Sequence, residues 1–144
     1  MQITRRIATP SDAPPLAELR AEAMRPSLEA LGRYDPLRVR RRFLDSFDPA
    51  ETVVLLQGDQ LAGFFVLRRR PEEHYLDHLY LAAQARGLGL GRRVITELQD
   101  DARAAGVPIR LMALKGSPAN RFYRACGFEA VGEEPFDVLY RWQP

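Results

Sequence analysis

Arg86-Gly-Leu-Gly-Leu-Gly91 carries the densest chemical signal in the chain, lying between a strand-like stretch and a helical one. Glycines let the backbone curl tightly and turn successive N–H groups toward one ligand. A helix starting there adds unpaired N–H groups and partial positive charge, a combination suited to a pyrophosphate. Dinucleotide-binding folds share such turns, but place them after the first strand of a parallel βαβ unit with an acidic residue about 20 residues on. A hairpin-rich half precedes this loop instead. A second group, His74, Asp77 and His78, lies just upstream. On a helix the two histidines would suit a zinc pair. Pro71 and the aromatic and aliphatic neighbours favour a strand, where they stand roughly 13 Å apart, too far to share an ion. No metal is expected.

The elements that must position these residues follow from periodicity. Residues 3–7 alternate weakly and meet Thr9-Pro10-Ser11-Asp12, a turn offering helix caps. Pro14 and Pro15 suit a first helical turn, Leu16, Leu19 and Ala23 follow at helical spacing, and Pro26 and Gly32 are expected to interrupt it. A second helical stretch runs over 36–47. Strand-like stretches 52–57 and 61–68 are joined across Gly58-Asp59, a hairpin signal, and another strand spans 74–82. Leu90, Val94, Ile95, Leu98, Ala102 and Ala105 form a helical stripe ended by Gly106 and Pro108. A buried strand over 109–114, a short helix opened by Ser117-Pro118 and ended by Gly127, and strands over 128–131 and 136–142 complete the order βααβββαβαββ. This describes one mixed α/β domain spanning 1–144.

Two motifs in this order resemble the GCN5-related N-acetyltransferase (GNAT) superfamily. Arg86, Gly89 and Gly91 match its acyl-CoA loop, Leu76-Asp-His-Leu-Tyr-Leu81 is similar to its fourth strand, and Ala119-Asn-Arg-Phe-Tyr-Arg-Ala-Cys-Gly-Phe128 is similar to its A-x-x-F-Y-x-x-x-G-F pattern. The resemblance implies a single-domain α/β fold with a mixed, mostly antiparallel sheet flanked by helices. It implies an N-acetyltransferase that moves an acetyl group directly from acetyl-CoA to a primary amine of a small molecule or peptide. The alternative is a non-catalytic acyl-CoA sensor or interaction module.

Under this resemblance the backbone of Gly87, Leu88, Gly89, Leu90 and Gly91 would hold the pyrophosphate. The main chains of Leu79 and Leu81 would bond the pantetheine arm, and Arg86 and Arg92 would add charge. Ser117, standing where the family often has Asn, or Asn120 would reach the arm. Tyr123 would protonate the departing thiolate; read from its residues alone, it is a core aromatic of a short helix. Asp77 and then His78 are the candidate bases, with Glu73 acting through water. In a regular strand 73, 75, 77 and 79 share one face and His78 points the other way. Asp77 also reads as a salt-bridge residue. Cys126 has no evident His–Asp partnership, so an acyl-cysteine is not expected.

The acceptor segment implied by the resemblance, about Glu22 to Tyr34, offers Arg25 and Arg33 for a carboxylate or phosphate on a small amine. Solvated loop charges are the alternative, and peptide N-termini are the other acceptor class. Composition narrows the partners. Basic residues number 21 and acidic 19, leaving +2, too little to hold a polyanion. Arg38-Val-Arg-Arg-Arg42 reads as a solvated helix face, and Lys115 is the only lysine. No apolar run approaches the roughly 20 residues that span a bilayer. One cysteine and no export-like leader point to the cytoplasm, with acetyl-CoA and an amine as partners, no nucleic acid or membrane, and a monomer or homodimer.

Overall fold

Residues 2–144 are described by a computed structural model. The elements are β1 (Ile3–Ile7), α1 (Ala13–Ala30), α2 (Pro36–Leu44), β2 (Thr52–Gln57), β3 (Gln60–Arg69), β4 (His74–Leu81), α3 (Leu90–Ala105), β5 (Ile109–Leu114), α4 (Pro118–Ala125), β6 (Glu129–Glu133) and β7 (Asp137–Trp142). The order βααβββαβαββ is the one the periodicity predicts. Seven strands form one open sheet in the order β1-β2-β3-β4-β5-β7-β6. The β1–β2, β2–β3, β5–β7 and β6–β7 pairs are antiparallel, and β4–β5 is parallel. That parallel ladder comprises only His74 opposite Ile109 and Tyr75 opposite Arg110, while β4 runs on to Leu81.

The chain forms two compact units, one of the residues up to Val66 with His78–Leu88, the other of Leu67–Asp77 with Gly89–Pro144. In the first, Leu16, Ala17 and Leu19 of α1 and Phe43 of α2 bury against Val54, Phe64 and Val66. Pro26 lies inside α1 rather than ending it. Proline removes one N–H and so deprives the Glu22 carbonyl of its helical donor. Both residues are exposed, so water can take that bond. Gly32 does end the helix, at φ 67°, with its N–H donating to the Glu29 carbonyl at 2.9 Å. The linking segment is therefore short, and most of the expected acceptor loop is helix.

In the second unit α3 buries Leu90, Val94, Ile95, Leu98 and Ala102, and Gly106 stops it in the left-handed region at φ 70°. Gln99 reaches from its buried face to donate Nε2–H to the Cys126 carbonyl at 2.8 Å, tying α3 to the end of α4.

One glycine of the first unit is required by packing. A Cβ on Gly63 in β3 would lie 2.5 Å from the Tyr80 carbonyl oxygen and 2.8 Å from Leu81 Cδ2. Backbone oxygen cannot yield as a flexible side chain can. Gly63→Ala should therefore cost about 1–3 kcal/mol, the range of an overpacked interior. Urea denaturation of the two proteins checks this, and an unchanged midpoint would contradict the close approach.

Candidate active site

The candidate residues are distributed over both units and are described unit by unit. In the first, β4 alternates as a strand should, so His78 is buried at 2% exposure while Leu79 and Leu81 are half-buried. Arg86 donates Nε–H to the Leu81 carbonyl at 3.0 Å, drawing the start of the glycine turn back onto the strand end. Gly87 takes a left-handed φ of 75°, and a Cβ there would meet open space. Leu88 is 57% exposed, an apolar side chain at the turn tip.

The second unit continues the turn. Gly89 caps α3 at φ 78°, again with nothing within 4 Å of an added Cβ. The first bond of the helix runs from Arg93 N–H to the Gly89 carbonyl at 3.1 Å. The N–H groups of Leu90, Gly91 and Arg92 precede it and have no intrahelical acceptor. They supply the anion-binding end of a 16-residue helix. The arrangement fits a pyrophosphate: unpaired donors, open space above Gly87 and Gly89, and no carboxylate within the turn. Arg92 also donates from Nη2 to the Ala125 carbonyl at 3.3 Å, tying α3 to the end of α4.

Asp77 lies at the β4 end of this second unit. Arg68 donates to its Oδ2 from Nε at 3.1 Å and from Nη2 at 3.0 Å. Both side chains are well buried, at 14% and 10% exposure, so the salt-bridge alternative holds, in a partly buried form. Glu73 is likewise engaged, with Arg110 Nε at 3.2 Å.

His78 sits edge-on to Phe43 at 5.4 Å and beside Phe64 at 6.4 Å, with Nδ1 at 3.3 Å from the Tyr80 hydroxyl. His74, at the other end of the strand, is also buried, and burial pushes its pKa below the ordinary value. No group of metal-binding side chains is found among the described residues.

On α4, Tyr123 is buried to 8% exposure, with ring centroids 5.7 Å from Phe128 and 6.5 Å from Tyr140. Ser117 caps this helix in an extended conformation, half-buried. Asn120 is engaged within the unit. Its Nδ2 donates to the Leu114 carbonyl at 2.8 Å and the Ser117 carbonyl at 3.1 Å, while Oδ1 accepts from the Tyr140 hydroxyl at 2.8 Å. Both ends of the amide are bonded inside the unit, which locks α4 to β5 and β7. Burial pushes the Cys126 thiol above its usual range, which opposes a thiolate nucleophile.

The sequence profile of the Acetyltransferase (GNAT) family matches residues 15–128. The chain belongs to this family. It is an acyltransferase of the GNAT type, and the sheet and helix order agree with solved members. The PaiA N-acetyltransferase of Thermoplasma acidophilum, in complex with coenzyme A, is 17% identical over all of both chains with a TM-score of 0.77. An acetyltransferase from Thermus thermophilus is 21% identical over 100% of this chain and 98% of that one, at 0.76. The N-acetylglutamate synthase of Neisseria gonorrhoeae, complexed with coenzyme A and N-acetyl-glutamate, is 19% identical over 99% of this chain and 35% of its own, at 0.70. No curated protein matches this chain in sequence. No helix among the described residues is long and apolar enough to cross a membrane.

One functional candidate, Arg20, escaped the sequence reading. Arg20 falls in phase with Leu16 and Met24 on the inner stripe of α1, and this misplaced charge was the only available signal. Arg25, by contrast, pairs with Glu29 at 3.4 Å and lies 4.8 Å from the centre of the Tyr34 ring, in a cleft of about 380 Å³ also lined by Glu18, Glu22 and Arg40. Arg40 pairs with Glu18, so the arginines of that cleft already have carboxylates.

The structural duty of Asn120 is testable. Asn120→Ala leaves the Tyr140 hydroxyl hydrogen without its acceptor and removes one of two donors to the Leu114 carbonyl, and should cost roughly 1–3 kcal/mol. Thermal unfolding monitored by circular dichroism would register the loss.

Proposed function

We propose that this protein transfers an acetyl group from acetyl-CoA directly to a primary amine, with no acyl-enzyme. The observation that carries the reading is the glycine turn opening α3: left-handed glycines at 87 and 89, space above them, and unpaired N–H groups at the helix start. Gly87 to Gly91 bind the pyrophosphate through backbone N–H groups. Leu79 and Leu81 offer main-chain groups to the pantetheine arm on the part of β4 that lies beyond its ladder with β5. Arg86 and Arg92 add positive charge beside the turn, and Ser117 or Asn120 contacts the arm. Coenzyme A in the solved structure of the Thermoplasma relative supports this choice of donor.

Acetyl-CoA supplies a thioester carbonyl for the amine to attack and a thiolate to leave. The amine is mostly protonated at neutral pH and must shed a proton first. Asp77, oriented by its ion pair with Arg68, receives it, with His78 the second candidate. Tyr123 donates its hydroxyl proton to the departing sulfur as the C–N bond forms and the C–S bond breaks. Cys126, with its thiol raised by burial, takes no part. The acceptor is a small molecule or a peptide amine.

Release of free thiol from acetyl-CoA across a panel of amines tests the reaction; acetyl-CoA binding without release on any amine would contradict it. Gly89→Glu puts a carboxylate where the phosphates belong and a side chain in a left-handed position. It should abolish acetyl-CoA binding in calorimetry, and unchanged affinity would reject this placement. Tyr123→Phe keeps the ring and removes the acid. Turnover should fall by about 10²–10⁴-fold with little change in acetyl-CoA affinity, as measured by steady-state kinetics beside calorimetry.

A further inference from the structure

Within the first unit, the exposed arginines that form ion pairs do so with nearby carboxylates: Arg6 with Asp12, Arg25 with Glu29 and Arg40 with Glu18. Arg20 does the opposite. It is only 7% exposed, and every partner it has is neutral. Its Nε–H donates to the Tyr80 hydroxyl at 3.2 Å, Nη1–H donates to the Val39 carbonyl, and the guanidinium lies 5.8 Å from the Tyr80 ring centroid. A guanidinium shielded from water without a counter-charge is costly, because neutral dipoles recover only part of its lost solvation. Its Nη2 has no protein acceptor among the described residues and is not sealed from solvent. The fold thus keeps a buried cation in this unit with no carboxylate among its partners.

The surroundings hold that edge still. Tyr80 packs against the apolar core, its ring 5.6 Å from Phe64, and its hydroxyl accepts from Arg20. The hydroxyl hydrogen is then available to His78 Nδ1 at 3.3 Å. Val39 lies in α2 and Arg20 in α1, so the guanidinium also bridges the two helices. A monoanion matches the site. One buried positive charge balances one carboxylate, whereas a phosphate dianion would leave surplus negative charge beside the Tyr80 ring.

We propose that Arg20 is the anchor for a carboxylate carried by the amine acceptor, gripped through Nη2 beside the Tyr80 hydroxyl. This rests on the acetyl-transfer reading above and narrows its acceptor to amino acids and related amino-carboxylates. It also moves the anionic contact from Arg25 and Arg33, where the sequence suggested it, to a residue in the buried stripe of α1.

The experiment compares acids with their uncharged isosteres: β-alanine, γ-aminobutyrate and phenylalanine, each beside its primary amide, with thiol release as the readout. The wild type should favour the acid in at least one pair. Arg20→Met should raise the KM for that acid by roughly 10- to 100-fold, the range of a lost charge-assisted hydrogen bond, and leave the KM values for the amide and for acetyl-CoA unchanged. Arg20→Lys keeps the charge without the fork and should fall between the two. Equal loss of kcat on acid and amide would assign Arg20 a purely structural role. A raised KM for acetyl-CoA alone would give it to a phosphate of the donor. Either result overturns the anchor, and so does a wild type that never prefers the acid, a readout that needs no folded variant. Turnover of amides without preference leaves acetyl transfer standing and removes only the anchor. Binding of acetyl-CoA with no turnover of any pair removes both.

Discussion

Beside the end of β4, Gly63 lets the backbone of β3 come so close that even one methyl group would strike the Tyr80 carbonyl oxygen. The closeness sets where Tyr80 can stand, and Tyr80 in turn receives Arg20 and faces His78. Arg20 reaches on to the Val39 carbonyl and so links α1 with α2. A single backbone approach therefore underlies the placement of a tyrosine, a histidine and a buried cation. The side chains involved come from residues far apart in the chain, and their common reference is the spacing of two strands.

The glycine turn works by the complementary principle, an absence of contact. Gly87 and Gly89 have room above them and adopt left-handed conformations that side chains resist. Helix α3 begins immediately afterwards, so its first N–H groups have no carbonyl one turn earlier to bond. Chemistry is thus prepared by backbone alone. Packing at Gly63 and openness at Gly87 and Gly89 use the same residue type for opposite physical reasons.

Polar side chains within the fold divide similarly between locking and function. Asn120 and Gln99 spend their amides on internal carbonyls. Arg92 is tied to the last turn of α4, and Asp77 is held by Arg68. Tyr123 stands in an aromatic group that fixes its ring, which serves a packing role and the orientation of an acid alike. Arg20 differs because its charge is buried with only neutral partners.

Much of the architecture was legible in the sequence because it depends on short-range rules. Alternation, helical stripes, the Gly58-Asp59 turn and the Gly106 stop determined the element order almost to the residue. The loop and the α4 motif were legible for the same reason: their residues are adjacent in the chain, and their chemistry is that of a turn and a helix start. Pro26 was misread because a proline's cost depends on whether water can reach the carbonyl it orphans, and exposure is a tertiary property. The internal bonds of Asn120 were not legible because its partners, Leu114 and Tyr140, arrive from two different strands. The obligatory glycine at 63 and the lone cation at 20 were likewise decided only by folding. Steric exclusion and charge compensation both depend on which atoms come within a few ångströms, and in these cases the atoms belong to distant parts of the chain.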